Sequence, residues 1–238
     1  MDINFADRLK LVEEKIEAAC RRSGRQRQEI KLMGVTKFQT VETVEKACKA
    51  GLKLFGESRV QDGIKKFSGF WETQPRDGNI ELHLIGSLQR NKAKTAAAFF
   101  DCIQSVDREP LIELLGALTA ERECPLMIML EYRTGEETKA GFSELDDLLK
   151  AAEKVLNFPG LIPAGLMTMA PFTTDEAVLR SSFRKLVIAR DELKKKFGSE
   201  NGNWSCLSMG MTNDFEIAIE EGANLIRIGT ALFGEQIT

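Results

Sequence analysis

Eight short apolar stretches alternate with helical patterns along nearly the whole of this chain, and few folds accept that rhythm. The stretches fall at 32–37, 52–55, 82–86, 102–106, 126–130, 164–169, 204–207 and 225–228. Between them, apolar residues recur at three- and four-residue steps, as in Val44, Ala47 and Cys48 or Val60, Ile64 and Phe67, which is helical spacing. Two units, 47–55 and 219–227, resemble each other and read helix, glycine stop, strand, with Gly51 and Gly222 as the stops. Strands that are apolar on both faces belong in a parallel sheet covered by helices. Eight such units in 238 residues predict a closed (β/α)8 barrel. The rival, an open doubly wound sheet, is not supported by any G-x-G-x-x-G after the first strand. The expected organisation is one α/β domain over residues 1–238. An extra N-terminal helix, marked by Phe5, Leu9, Val12, Ile16 and Ala19, is expected to lie across one end of it.

Composition narrows the function classes. With 33 basic and 36 acidic residues well mixed, the net charge is −3, so the chain lacks the electropositive field that nucleic-acid binding relies on. Five dispersed cysteines form no C-x-x-C pair, which suggests neither a disulfide framework nor a zinc site. The single histidine, His83, leaves little room for a histidine metal cluster or a Ser-His-Asp triad. No stretch reaches the roughly 20 apolar residues of a membrane span, and the first residues carry no export signal. A cytoplasmic, membrane-free protein is expected, and a monomer.

The first strand, Leu32-Met33-Gly34-Val35-Thr36-Lys37, is expected to end on its lysine. Strand alternation puts Met33, Val35 and Lys37 on one face, so the amine would reach the carboxyl end of the barrel, where such folds place their chemistry. Partly desolvated, it could attack a carbonyl; the plain alternative is a lysine that merely reaches solvent. Phosphate groups are often held after strands seven and eight of a barrel. Here those loops offer Ser208 through Asp214, and Gly229 with Thr230. Arg227 shares its strand face with Leu225 and Gly229, and a buried arginine needs an acceptor. That acceptor is either a ligand or a strand-end carboxylate such as Glu57 or Glu131. A carbonyl-binding lysine, a phosphate cup and an arginine between them are what pyridoxal 5′-phosphate requires.

Motifs in the same order along the chain carry a resemblance. They are Gly34-Val35-Thr36-Lys37, Phe55-Gly56-Glu57-Ser58-Arg59-Val60-Gln61, residues 83–92, Ser105-Val106-Asp107, Gly165-Leu166-Met167-Thr168-Met169, residues 207–212 and residues 227–234. Together they resemble the pyridoxal phosphate homeostasis protein family. The resemblance implies a barrel of the alanine racemase N-terminal-domain type, with pyridoxal 5′-phosphate attached covalently to Lys37. It implies Arg227 facing the pyridine nitrogen, with Ser208, Gly229 and Thr230 on the phosphate and Ser58 and His83 near the cofactor. A satisfied core histidine is the other reading of His83. An arginine at the ring nitrogen would make the cofactor a poor electron sink, which points to carrying or buffering it in vitamin B6 and amino-acid homeostasis. Recipient apoenzymes would be transient partners. Two departures stand out: Ser58 replaces the family's usual asparagine, and Glu131-Tyr132 replaces its valine-asparagine pair. Two other functions remain open, a slow amino-acid racemase using Lys37 and a cofactor-free barrel enzyme using Lys37 as a Schiff-base nucleophile.

Overall fold

The computed structural model describes residues 4–74, 76–120, 122, 124–135, 140–198 and 204–234. Eight strands close into a parallel barrel in sequence order: β1 (Lys31–Val35), β2 (Leu54–Glu57), β3 (Glu81–Leu84), β4 (Cys102–Val106), β5 (Leu126–Glu131), β6 (Leu161–Met167), β7 (Cys206–Ser208) and β8 (Leu225–Ile228). Closure is made by β8 against β1, with Met33 opposite Arg227 and Gly34 opposite Ile228. The connections carry α2 (Val41–Lys49), α3 (Val60–Thr73), α4 (Ala93–Phe99), α5 (Glu109–Thr119), α6 (Leu145–Leu156), α7 (Glu176–Phe197), α8 (Phe215–Glu220) and the four-residue α9 (Thr230–Phe233).

The two faces of each strand go to two cores. Outward residues such as Leu32, Phe55, Leu82, Leu84, Ile128 and Ile226 pack under the helices. Inward residues, Met33, Leu54, Cys102, Met129, Met167 and Leu225, fill the lumen. This two-sided burial is why the strands read as continuous apolar runs.

The N-terminal helix α1 (Phe5–Ser23) does not lie across an end. It packs against α8, α9 and α2, on the flank where the short α9 leaves the helix ring incomplete. Asn4 caps its start and Gly24, at φ 66°, ends it. Arg22 then binds Glu216 and Glu220 of α8, and Glu220 also takes Arg180 of α7.

Strand β6 starts at Leu161, three residues before the sequence-based boundary. Its Pro163 pairs beside a register shift between Ile128 and Met129, where the missing N–H of proline is tolerated. Gly165 follows at φ 152°, and a Cβ there would come within 1.9 Å of the Cys206 carbonyl oxygen. Gly165→Ala is therefore expected to destabilise the barrel by about 1–3 kcal/mol through backbone clash and strain. Chemical denaturation checks this, and an unchanged midpoint would contradict it.

Candidate functional site

Strand β1 stops at Val35, and Lys37 lies two residues further on in a turn, with its side chain exposed. The strand does not run to the lysine because Phe38, at φ 66°, bends the chain outward in the left-handed region. The expected partial desolvation of the amine is thus not supplied by the protein alone. Its root is nonetheless fixed. The Thr36 amide donates to the Gly56 carbonyl at 3.0 Å, its hydroxyl donates to Glu57 Oε1 at 2.7 Å, and its carbonyl accepts from Lys66 Nζ. Lys66 also donates to Glu57 Oε1 at 2.6 Å, and all three residues are buried on the outer side of the sheet, against α3. Glu57 therefore faces away from Arg227 and cannot be its partner.

Arg227 sits inside the barrel and is 3% exposed. One terminal nitrogen donates to Ser208 Oγ at 2.6 Å and the other to the Thr168 carbonyl at 2.7 Å. Burial pulls its pKa down to about 10, against the opposing pull of Asp214 and Glu131, so it stays protonated at neutral pH. A guanidinium has about five N–H donors. The hydrogen bonds to Ser208 and Thr168 leave some of them free, and no carboxylate among the described residues accepts one.

The other predicted residues divide between the mouth and the lumen. Gly229 and Thr230 stand directly after β8, and a Cβ on Gly229 would lie 3.7 Å from the Val35 carbonyl oxygen, so this loop abuts the strand leading to Lys37. Thr230 is exposed, and as the first residue of α9 its amide has no intrahelical acceptor. Ser58 is half-buried just past β2, its carbonyl close against Gly86. Ser208 and His83, by contrast, are buried inside the barrel. The Ser208 hydroxyl accepts from Arg227 and donates to Gln104 Oε1 at 2.6 Å, while the His83 ring lies between Gln104 at 2.8 Å and Glu81 at 3.1 Å.

Sequence reasoning missed two groups here. Gln104 was legible, because alternation from Cys102 turns it inward. Lys66 was not, because helical lysines usually face water. Glu131, named from sequence as a family departure and as a candidate acceptor for Arg227, is 4% exposed, and among the described residues no hydrogen bond reaches its carboxyl group, from Arg227 or any other. Burial pushes its pKa up to about 7, Asp107 adds to that, and Arg227 opposes it. Strand β5 stands across the barrel from β1, so Glu131 and Lys37 lie on opposite sides of one mouth. Among the described residues, no group of histidine, cysteine, aspartate and glutamate could hold a metal, and no helix is long and apolar enough to cross a membrane.

Residues 9–236 match the family described as alanine racemase, N-terminal domain. A pyridoxal phosphate homeostasis protein of Aquifex aeolicus is 38% identical over 235 residues, spanning 98% of this chain and 99% of its own. PipY of Synechococcus elongatus PCC7942, solved with pyridoxal phosphate bound, superposes with a TM-score of 0.79 at 30% identity, covering 92% of this chain and 100% of that one. An alanine racemase of Clostridium difficile 630 superposes with a TM-score of 0.76 at 11% identity over 98% of this chain and 58% of that one, a likeness of fold alone.

Proposed function

This chain belongs to the pyridoxal phosphate homeostasis protein family, within the alanine racemase N-terminal-domain class, and from that premise we propose that it binds pyridoxal 5′-phosphate reversibly and carries or buffers it. The observation that supports this most is the closure of β8 on β1, which sets Lys37, Arg227 and the Gly229-Thr230 loop on one mouth. The residues fit the group. Arg227 is a buried cation with donors to spare, and Gly229 leaves room at the mouth.

Bound there, the cofactor supplies an aldehyde that condenses reversibly with a primary amine. Lys37 provides that amine from a turn whose preceding carbonyl is anchored by Lys66. Gly229 and Thr230 hold the phosphate, Arg227 faces the ring, and Ser208 acts on the site by holding Arg227. Ser58 and His83 belong to the surroundings, one at the mouth and one in the lumen. An exposed amine at an open mouth suits uptake and release, with apoenzymes as transient recipients and the protein acting as a cytoplasmic monomer. One observation favours the slow-racemase alternative: Glu131, a buried carboxyl with a pKa of about 7, is poised to exchange protons opposite Lys37.

The test is the absorption spectrum of the purified protein before and after pyridoxal phosphate, followed by borohydride reduction and peptide mapping. Wild type is expected to gain a visible band that reduction fixes onto Lys37, and Lys37→Ala to give no such adduct. Absence of any band or adduct in wild type would overturn cofactor binding. Steady turnover of an amino acid by wild type, lost in Lys37→Ala, would replace the carrier with an enzyme.

A further inference from the structure

A chain of side-chain hydrogen bonds crosses the lumen of the barrel, from a donor-only arginine at one end to a carboxylate at the other. Arg227 donates to Ser208 Oγ at 2.6 Å, and Ser208 donates to Gln104 Oε1 at 2.6 Å. Gln104 Nε2 lies 2.8 Å from His83 Nδ1, and His83 Nε2 lies 3.1 Å from Glu81 Oε2. Arginine has only donors, so Ser208 accepts there, and Gln104 Oε1 is the acceptor that the structure sets against its single proton. The Gln104 amide then presents its NH2 to His83, so Nδ1 must accept and the ring proton must sit on Nε2, facing the Glu81 carboxylate. Turning the Gln104 amide round would leave the Ser208 proton without that acceptor, and moving the ring proton to Nδ1 would set it against the amide NH2 and leave a bare Nε2 against the Glu81 carboxylate, both costly inside the barrel.

The chain has two ends in different places. Gln104 and Ser208 are fully buried and His83 nearly so. Glu81 is partly exposed and lines a cleft of about 390 Å³ at the amino-terminal end of the strands, shared with Lys31, Lys53 and Asn79. Arg227 stands at the other end, below the mouth that holds Lys37.

We propose that Gln104 and His83 are positioning residues for Arg227: with Ser208 they form a one-way hydrogen-bond relay, anchored by Glu81, that holds the guanidinium in place for the bound cofactor. This rests on the reading that Arg227 faces pyridoxal phosphate. Because the protein has one histidine, its ring nitrogens can be observed without ambiguity.

The experiment is nitrogen-15 NMR of histidine-labelled protein without ligand, paired with spectral titration by pyridoxal phosphate. In wild type, Nε2 is expected to carry the proton and Nδ1 to be bare. Gln104→Glu should turn the ring into the doubly protonated form, because the new carboxylate accepts from Nδ1 while Glu81 accepts from Nε2. Gln104→Leu should weaken cofactor binding about tenfold and shift the bound band, while Lys37 can still be trapped by borohydride. Glu81→Ala, which touches nothing at the mouth, should weaken binding in the same sense.

A wild-type ring protonated on Nδ1 would overturn the relay. So would unchanged affinity and spectrum in both Gln104→Leu and Glu81→Ala. Failure of wild type to bind pyridoxal phosphate, with the ring as drawn, would instead overturn the functional reading and the link to Arg227 with it.

Discussion

Lys66→Met is expected to cost about 3–5 kcal/mol of folding stability, because it strands a buried carboxylate. The Glu57 side chain is 1% exposed and that of Lys66 9%, so water cannot replace the lost ammonium. Glu57 Oε2 already has no hydrogen-bond partner, and without Lys66 the other oxygen would keep only the Thr36 hydroxyl. The double variant Lys66→Met with Glu57→Leu should recover most of the loss, since an apolar pair of similar volume avoids the desolvation that the ion pair must offset. Urea denaturation of both variants checks this, and a loss below about 1 kcal/mol in the single variant would contradict it. The function of the pair is local. It holds the Thr36 carbonyl one residue before Lys37, so both variants are expected to attach pyridoxal phosphate more slowly even where stability is restored.

The barrel was legible because two independent signals agreed: strands apolar on both faces, and helices with apolar steps between them. Element ends were less so. A lysine that closes a run begun by four apolar residues looks like a strand end, but Phe38, three residues after Val35, turns the chain in the left-handed region. Pro163 argues against a strand from sequence, and only the register shift beside it shows why β6 can include it. The placement of α1 depended on how short α9 is, a length that periodicity could not give.

The shared mouth of Lys37, Arg227, Gly229 and Thr230 followed from strand order and parity, which the chain states openly. What held them in place was hidden. Lys66 and Gln104 are polar residues whose burial is set by partners 30 and 104 positions away, Thr36 and Ser208. A single strand or helix carries no trace of such a partner. Ser208 shows the same limit from the other side, since a hydroxyl after strand seven suits a phosphate equally well until Arg227 and Gln104 are seen on it.

Glu131→Gln is expected to change the pH dependence of stability. The carboxyl pKa rises from 4.5 in the unfolded chain to about 7 in the fold, chiefly through burial. Between those values the folded state holds a proton that the unfolded state has released. Stability therefore falls as pH rises through that window and levels off above about 7. Each pKa unit is worth about 1.4 kcal/mol, so the full loss is about 3 kcal/mol. A glutamine keeps the shape and cannot ionise, so Glu131→Gln should match wild type near pH 5 and exceed it by up to about 3 kcal/mol at pH 8. Burial raises Asp214 as well, and that smaller decline should persist in the variant. Cofactor binding should follow the same sign. The phosphate of the ligand and an ionised Glu131 would place like charges in one mouth, so wild-type affinity is expected to fall through pH 7 more steeply than that of Glu131→Gln. Denaturation and spectral titration at pH 5 and pH 8 measure both effects. Parallel curves for the two proteins would mean that Glu131 is already ionised across the range, with Arg227 outweighing its burial.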